Sequence, residues 1–246
     1  MARFFVPREN IQGKHGIIEG QELEHLRKVL RLGPGEQIAL FDDSGWEHQA
    51  VIRSFNAASG EVEIIESHQV ERESALEITL AVGLTKGDKM DLVVEKATEL
   101  GVQTLIPFIS AYTVPKLDAE KSEKRAARWQ KISLSAAKQC GRTRIPEIRP
   151  ICQFKDLAQQ PFNDSVKLLF WEKGSGRTLK DVRAAEPGVR SVVLVIGPEG
   201  GFSEGEANLA LENGFQLLGL GPRILRAETA AVTAVSVGQF LWGDLG

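Results

Sequence analysis

The sequence predicts an α/β protein with a parallel sheet, preceded by a small β-rich domain that reads as a barrel. Three observations carry that reading. Residues 76 to 108 run strand, helix, strand, the order that builds a parallel sheet. Beyond residue 190, two apolar runs each pass into a glycine-rich loop and then a helix, at Gly197-Pro198-Glu199-Gly200-Gly201 and at Leu220-Gly221-Pro222-Arg223. Before residue 72, apolar residues instead come in short runs separated by turn-forming Asp, Asn, Ser and Gly.

The first domain is expected over 1–72, with strands at 36–41, 47–53 and 61–66. A short amphipathic helix over 21–32 would put Leu23, Leu26 and Leu30 on one face and Arg27, Lys28 and Arg31 elsewhere. The polar stretch Val70 to Ser74 marks the boundary, and the second domain is expected over 73–246. There the spacing predicts a strand over 76–83, a helix over 88–100 ended by Gly101, and a strand over 102–108. A long helix over 123–140 would turn Trp129, Ile132, Ala136 and Cys140 inward. A strand over 167–171 then leads into a third glycine-containing loop, Glu172 to Gly176. Ser203 and Glu206 form a capping-box pattern directly behind the first glycine loop, so a helix starts there. The last helix, 229–242, is rich in Ala and Gly at helical spacing. Another backbone must approach it closely, within the sheet layer or across a dimer interface.

Composition excludes several function classes. The only cysteines are Cys140 and Cys152, without metal-ligand spacing, which points to two structural thiols rather than a disulfide scaffold or zinc ribbon. All four histidines precede residue 70, far in sequence from the glycine loops. A histidine-based nucleophilic site or a metal centre built within the second domain is therefore not expected. No apolar run approaches a membrane span and the N-terminus lacks the core of a signal peptide, so the expected compartment is the cytoplasm. The net charge is −3, yet Lys116 to Arg149 carries ten Lys/Arg against four Asp/Glu. That run is a solvated helix face or a nucleic-acid contact, and the turn bearing Arg142 and Arg144 favours the second reading more than the helix does. In the acidic first domain, Arg3, Arg8, Arg27, Lys28 and Arg31 could form a patch for a phosphate backbone or be scattered surface charge.

The chemistry of the first glycine loop narrows its ligand. Phosphate-binding loops offer bare backbone N–H groups or a lysine; here Pro198 removes a donor and Glu199 brings a carboxylate. A polyphosphate is disfavoured, and a ligand with a cationic centre and an adenine ring, such as S-adenosylmethionine, is tolerated. The alternative is a tight turn with no ligand. No Walker lysine supports a kinase, and no ExGxGxG loop follows the first strand of the second domain, as a Rossmann-type methyltransferase would require.

Taken with Lys86-Gly87-Asp88-Lys89-Met90, Lys96-Ala97-Thr98-Glu99-Leu100-Gly101-Val102, Arg27 to Leu32 and Gln139-Cys140-Gly141-Arg142, the motifs Gly197 to Ser203 and Leu220 to Ala230 closely resemble one family across nearly the whole chain. It is the SPOUT-class ribosomal RNA small-subunit methyltransferases that act on N3 of a uridine. The resemblance implies a PUA-like barrel that binds RNA, a second domain with a deep trefoil knot, S-adenosylmethionine bound there, and a homodimer. Its partner would be small-subunit ribosomal RNA or the assembled small subunit, with no metal and no membrane. Carried over, Gly197, Pro198, Glu199, Gly200, Gly201, Leu220, Gly221, Ile224, Leu225 and Ala227 would bind the cofactor. Arg226 and Glu228 would stand at the methyl-transfer centre, and Arg3, Arg27, Lys28, Arg31, Arg142 and Arg144 would contact RNA. Two positions depart from the family: Ala227 stands where Thr is usual, and Ala111-Tyr112 where Glu-Arg is common. The competing class is a non-catalytic RNA-binding or ribosome-assembly protein that keeps a cofactor pocket.

Overall fold

A computed structural model describes residues 1–113, 118–174 and 176–246; Lys116 of the basic run and Ser175 of the third glycine loop lie outside the described residues. The chain divides into two compact units, residues 1–73 with 137–145, and residues 74–136 with 146–246.

The first unit holds β1 (Arg3–Phe5), β2 (Ile11–Gln12), β3 (His15–Glu19), α1 (Gly20–Glu24), β4 (Gln37–Phe41), β5 (Trp46–Phe55) and β6 (Ser59–Gln69). The sheet order is β1-β4-β5-β6-β3-β2, antiparallel except where β1 runs parallel to β4. Alternation in β3 and β6 sends Ile18, Val62 and Ile64 inward to join Phe4, Leu26, Ile38, Leu40 and Ile52 in one core. The amphipathic helix is shorter than its spacing suggests. After α1 the chain enters a π-helical turn, His25–Val29, closed by Leu30 N–H donating to the His25 carbonyl five residues back. That wider turn shifts the helical phase. Leu23 and Leu26 are buried, but Leu30 is 41% exposed and Val29 68%, beside exposed Arg27, Lys28 and Arg31.

The segment 137–145 joins this unit through specific bonds. The Glu73 carboxylate accepts from the Arg142 guanidinium at 2.7 Å and from the backbone N–H groups of Thr143 and Arg144 at 3.3 and 3.2 Å. Asp43 Oδ1 accepts from Ile145 N–H at 2.6 Å, and Lys138 Nζ lies 2.7 Å from Glu22.

The second unit carries β7 (Glu77–Gly83), α2 (Lys89–Glu99), β8 (Thr104–Ile109), the greater part of α3 (Ala119–Cys140), β9 (Glu147–Ile148), β10 (Cys152–Gln153), α4 (Phe154–Ala158), β11 (Val166–Phe170), α5 (Leu179–Ala185), β12 (Ser191–Ile196), α6 (Glu204–Glu212), β13 (Gln216–Leu218) and α7 (Ala227–Trp242). Its sheet is parallel in every recorded pairing, ordered β10-β8-β7-β12-β11-β13, with β9 beside β8. Both faces are buried, which explains the unbroken apolar run of β12. Val192, Leu194 and Ile196 pack with α2 and α7 residues, while Val193 and Val195 pack with residues of α4 and α6. The capping box is present in both directions, Ser203 with Glu206. A second, Thr178 with Asp181, starts α5.

Strand order places the site. The chain steps outward from β7 to β8 and β10, then returns so that β12 lies between β7 and β11. β12, β11 and β13 are therefore parallel neighbours, and the loops that leave their carboxyl ends lie side by side at one end of the sheet.

Candidate cofactor site

A cavity of about 540 Å³ opens at the carboxyl ends of β11, β12 and β13. That is ample for a nucleoside-sized ligand. Gly197 to Phe202 forms one wall and Gly219 to Ala227 the other, with Phe170, Trp171 and Glu172 from the end of β11 between them and Ala230 and Ile196 behind. The structure thus brings together every cofactor residue named from sequence: Gly197, Pro198, Glu199, Gly200, Gly201, Leu220, Gly221, Ile224, Leu225 and Ala227 all line this cavity. Sequence reasoning does not find Phe170, Trp171, Glu172 and Phe202. Glu172 lies in the third glycine loop, whose pattern signals a strand end but no role.

Glycine is required here by close approach. A Cβ on Gly83, the last residue of β7, would sit 2.5 Å from Pro198 N, and one on Gly200 would sit 2.6 Å from Tyr112 Cβ. Gly201 has φ +69, a left-handed conformation that glycine adopts without strain. Tyr112 therefore backs the loop, and Ala111 N–H donates to Glu206 Oε1 at 2.8 Å. The Ala-Tyr pair that departs from the family is a structural support for the first wall.

Glu199 is not the free carboxylate that the sequence suggests. Its Oε1 accepts from Lys89 Nζ at 2.7 Å and from Lys86 N–H at 3.2 Å. Burial alone would raise the Glu199 carboxyl, but the hydrogen bond from Lys89, with backbone N–H donors and the Lys89 charge, outweighs it and holds the group below the usual carboxylate value. Lys89 Nζ also lies 3.8 Å from Glu228 Oε2. One ammonium thus faces two carboxylates, while Glu172, Arg223 and Arg226 add one negative and two positive charges to the lining.

Arg226 lines the cavity, is exposed, and its guanidinium has no hydrogen-bond or ion-pair partner among the described residues. Glu228 does not line it. Its side chain is 14% exposed, turned toward Lys89, and its Oε2 has no hydrogen-bond partner. Ala227 is buried in the core next to the cavity, so the missing hydroxyl leaves no orphaned polar group there.

The cations named for RNA separate into two groups. Arg3 is 11% exposed at its side chain, bonded to Glu47 and laid over the Phe41 ring; Arg142 is 4% exposed and clamped by Glu73. Each already neutralises a carboxylate inside its unit. Arg27, Lys28, Arg31 and Arg144 are exposed. Among the described residues no cluster of His, Cys, Asp and Glu could hold a metal ion, and no helix is long and apolar enough to cross a membrane.

The residues fit S-adenosylmethionine. The glycine walls admit a bent ligand, Ile196, Leu220 and Leu225 offer apolar surface for an adenine ring, and the carboxylates of Glu172 and Glu199 can face a sulfonium.

Comparison with known proteins agrees. The family of RNA methyltransferase domains matches residues 72–239, and that of RNA methyltransferase PUA domains matches residues 18–65. Ribosomal RNA small subunit methyltransferase E of Bacillus subtilis is 34% identical over 96% of this chain and 95% of its own. The crystal structure of the same enzyme from Neisseria gonorrhoeae, bound to S-adenosylmethionine, superposes with a TM-score of 0.90 at 36% identity over all of both chains. A Legionella pneumophila structure with the same cofactor bound gives 0.91 at 37% identity, covering 99% of each chain. Matched from end to end by its relatives, with a PUA-like first unit, a parallel-sheet second unit and a cavity that fits the cofactor, the chain belongs to the ribosomal RNA small subunit methyltransferase E family.

Proposed function

We propose that this chain methylates N3 of a uridine in small-subunit ribosomal RNA, using S-adenosylmethionine bound between the two glycine walls. The observation that carries this reading is the two-loop cavity whose lining includes two exposed arginines, Arg223 and Arg226, with no side-chain partner among the described residues. When bound, S-adenosylmethionine supplies a methyl group on a cationic sulfur. Everything else is the work of the chain. Gly197 to Gly201 and Leu220 to Leu225 hold the donor and fix its direction, which supplies much of the rate by orientation.

Uracil N3 carries an imide proton that must leave before or during attack. Arg226, with no carboxylate partner, stabilises the negative charge that develops on the uracil. Two glutamates are candidates for accepting that proton: Glu199 lines the cavity but is bonded to Lys89 and Lys86, and Glu228 Oε2 has no hydrogen-bond partner but lies outside the cavity lining. Arg226→Ala should abolish transfer while leaving cofactor affinity near that of the wild type; near-normal turnover would remove Arg226 from this role.

In this reading the first unit is the RNA-binding domain, with Arg27, Lys28, Arg31 and Arg144 as its contacts. The second is the catalytic domain, with its cofactor loops tied into a trefoil knot. The enzyme works in the cytoplasm as a homodimer. Support for the dimer is the exposed Phe240, 63% accessible on the small-residue helix α7. Incubating small subunits and naked small-subunit RNA with labelled cofactor, then digesting the RNA, tests the function. Label in 3-methyluridine is expected. RNA binding without any label would favour the non-catalytic assembly role.

A further inference from the structure

We infer that Lys89 is a positioning residue for methyl transfer: its ammonium, held between Glu199 and Glu228, staples the first cofactor wall to the start of α2. The inference rests on the cavity being the S-adenosylmethionine site and goes beyond it, because Lys89 does not line the cavity.

Three contacts link the segment after β7 to the wall. Gly83 packs against Pro198, Lys86 N–H donates to Glu199 Oε1 at 3.2 Å, and Lys89 Nζ donates to the same oxygen at 2.7 Å. Of these, only Lys89 supplies a charge. Its side chain is 32% exposed and that of Glu199 29%, so solvent screens the pair less than it would a fully exposed one. Pro198 and Glu199 sit in the turn closed by Gly201 N–H donating to the Pro198 carbonyl at 2.9 Å. Fixing the Glu199 side chain therefore fixes the turn whose backbone faces the ligand. Glu228, 3.8 Å away on the first turn of α7, gives Lys89 a second anchor and links the base of the second wall to the first. Without Lys89, Glu199 and Glu228 would face each other with no counter-charge.

The chain's own second unit explains why a lysine stands at this place. It lies in the first turn of α2, where a cation opposes the helix dipole. Local preference argues against it, and the ion pairs with Glu199 and Glu228 offset that cost.

The test is a double-mutant cycle read as S-adenosylmethionine affinity in full-length protein. Lys89→Met and Glu199→Gln should each weaken binding at least about tenfold. The double variant should be no weaker than either single one, since both remove the same bond. Lys89→Arg should recover most of the affinity, which a volume or folding defect would not predict. Wild-type affinity in Lys89→Met, or losses that add in the double variant, would overturn the inference. Failure of the wild type itself to bind the cofactor would instead overturn the reading of the cavity.

Discussion

The two walls of the cavity are built from the same kind of sequence, glycine and proline at a strand end, and hold themselves in opposite ways. The first wall, Gly197 to Phe202, is buttressed on three sides, by Gly83 against Pro198, by Tyr112 against Gly200, and by Lys86 and Lys89 on Glu199. The second, Gly219 to Arg226, is open: a Cβ at Gly219 or Gly221 would meet nothing within 4 Å, and Ile224 is 87% exposed. A fixed wall sets where the ligand sits. An open wall leaves its side chains to solvent.

Substitutions separate the two. The largest effect is expected at Gly200→Val, whose side chain has to enter space filled by Tyr112; calorimetric titration should show cofactor affinity reduced about a hundredfold, the equivalent of the strain of overpacking. Gly83→Ala should cost about 1–3 kcal/mol of stability in chemical denaturation, because its methyl group meets Pro198 backbone, which cannot rotate away. Glu199→Gln adds a pH signature. A carboxyl held below its ordinary value contributes stability that is complete above that value and is lost as pH falls through the lowered one. Melting temperatures of wild type and Glu199→Gln should therefore differ at neutral pH and converge in acid; a difference that persists in acid would show that the lost bond is not ionic. On the open wall, Ile224→Ala should change unliganded stability by no more than about 0.5 kcal/mol, as an exposed side chain does. A large loss there would mean that the second wall is packed in the free protein too.

Glycine positions are legible in the sequence because their physical reason is local. A strand end, a turn and a helix start are written within a dozen residues, and the Ser203–Glu206 capping box by itself sets the direction in which the chain leaves the first wall. The parallel sheet and its carboxyl-end site follow from the same pattern. Charges are less legible. Arg142 and Arg27 look alike in sequence, yet one is buried against Glu73, a partner 69 residues away, and the other is exposed. The same long-range bonds carry 137–145 into the first unit, which a single boundary near residue 72 does not anticipate. Glu199 reads as a free carboxylate for this reason too: nothing near it in the chain points to Lys89, its partner 110 residues distant. Leu30 departs from expectation differently. A helix period of 3.6 puts it with Leu26, whereas the π-helical turn, which no apolar spacing announces, turns it out to solvent.

The most direct measurement is equilibrium titration of the purified chain with S-adenosylmethionine, repeated with ATP as competitor. Saturable binding at one cofactor per chain, undisturbed by ATP and lost in Gly200→Val, is the predicted result. No binding, or ATP bound more tightly than S-adenosylmethionine, would contradict the assignment of the two-walled cavity.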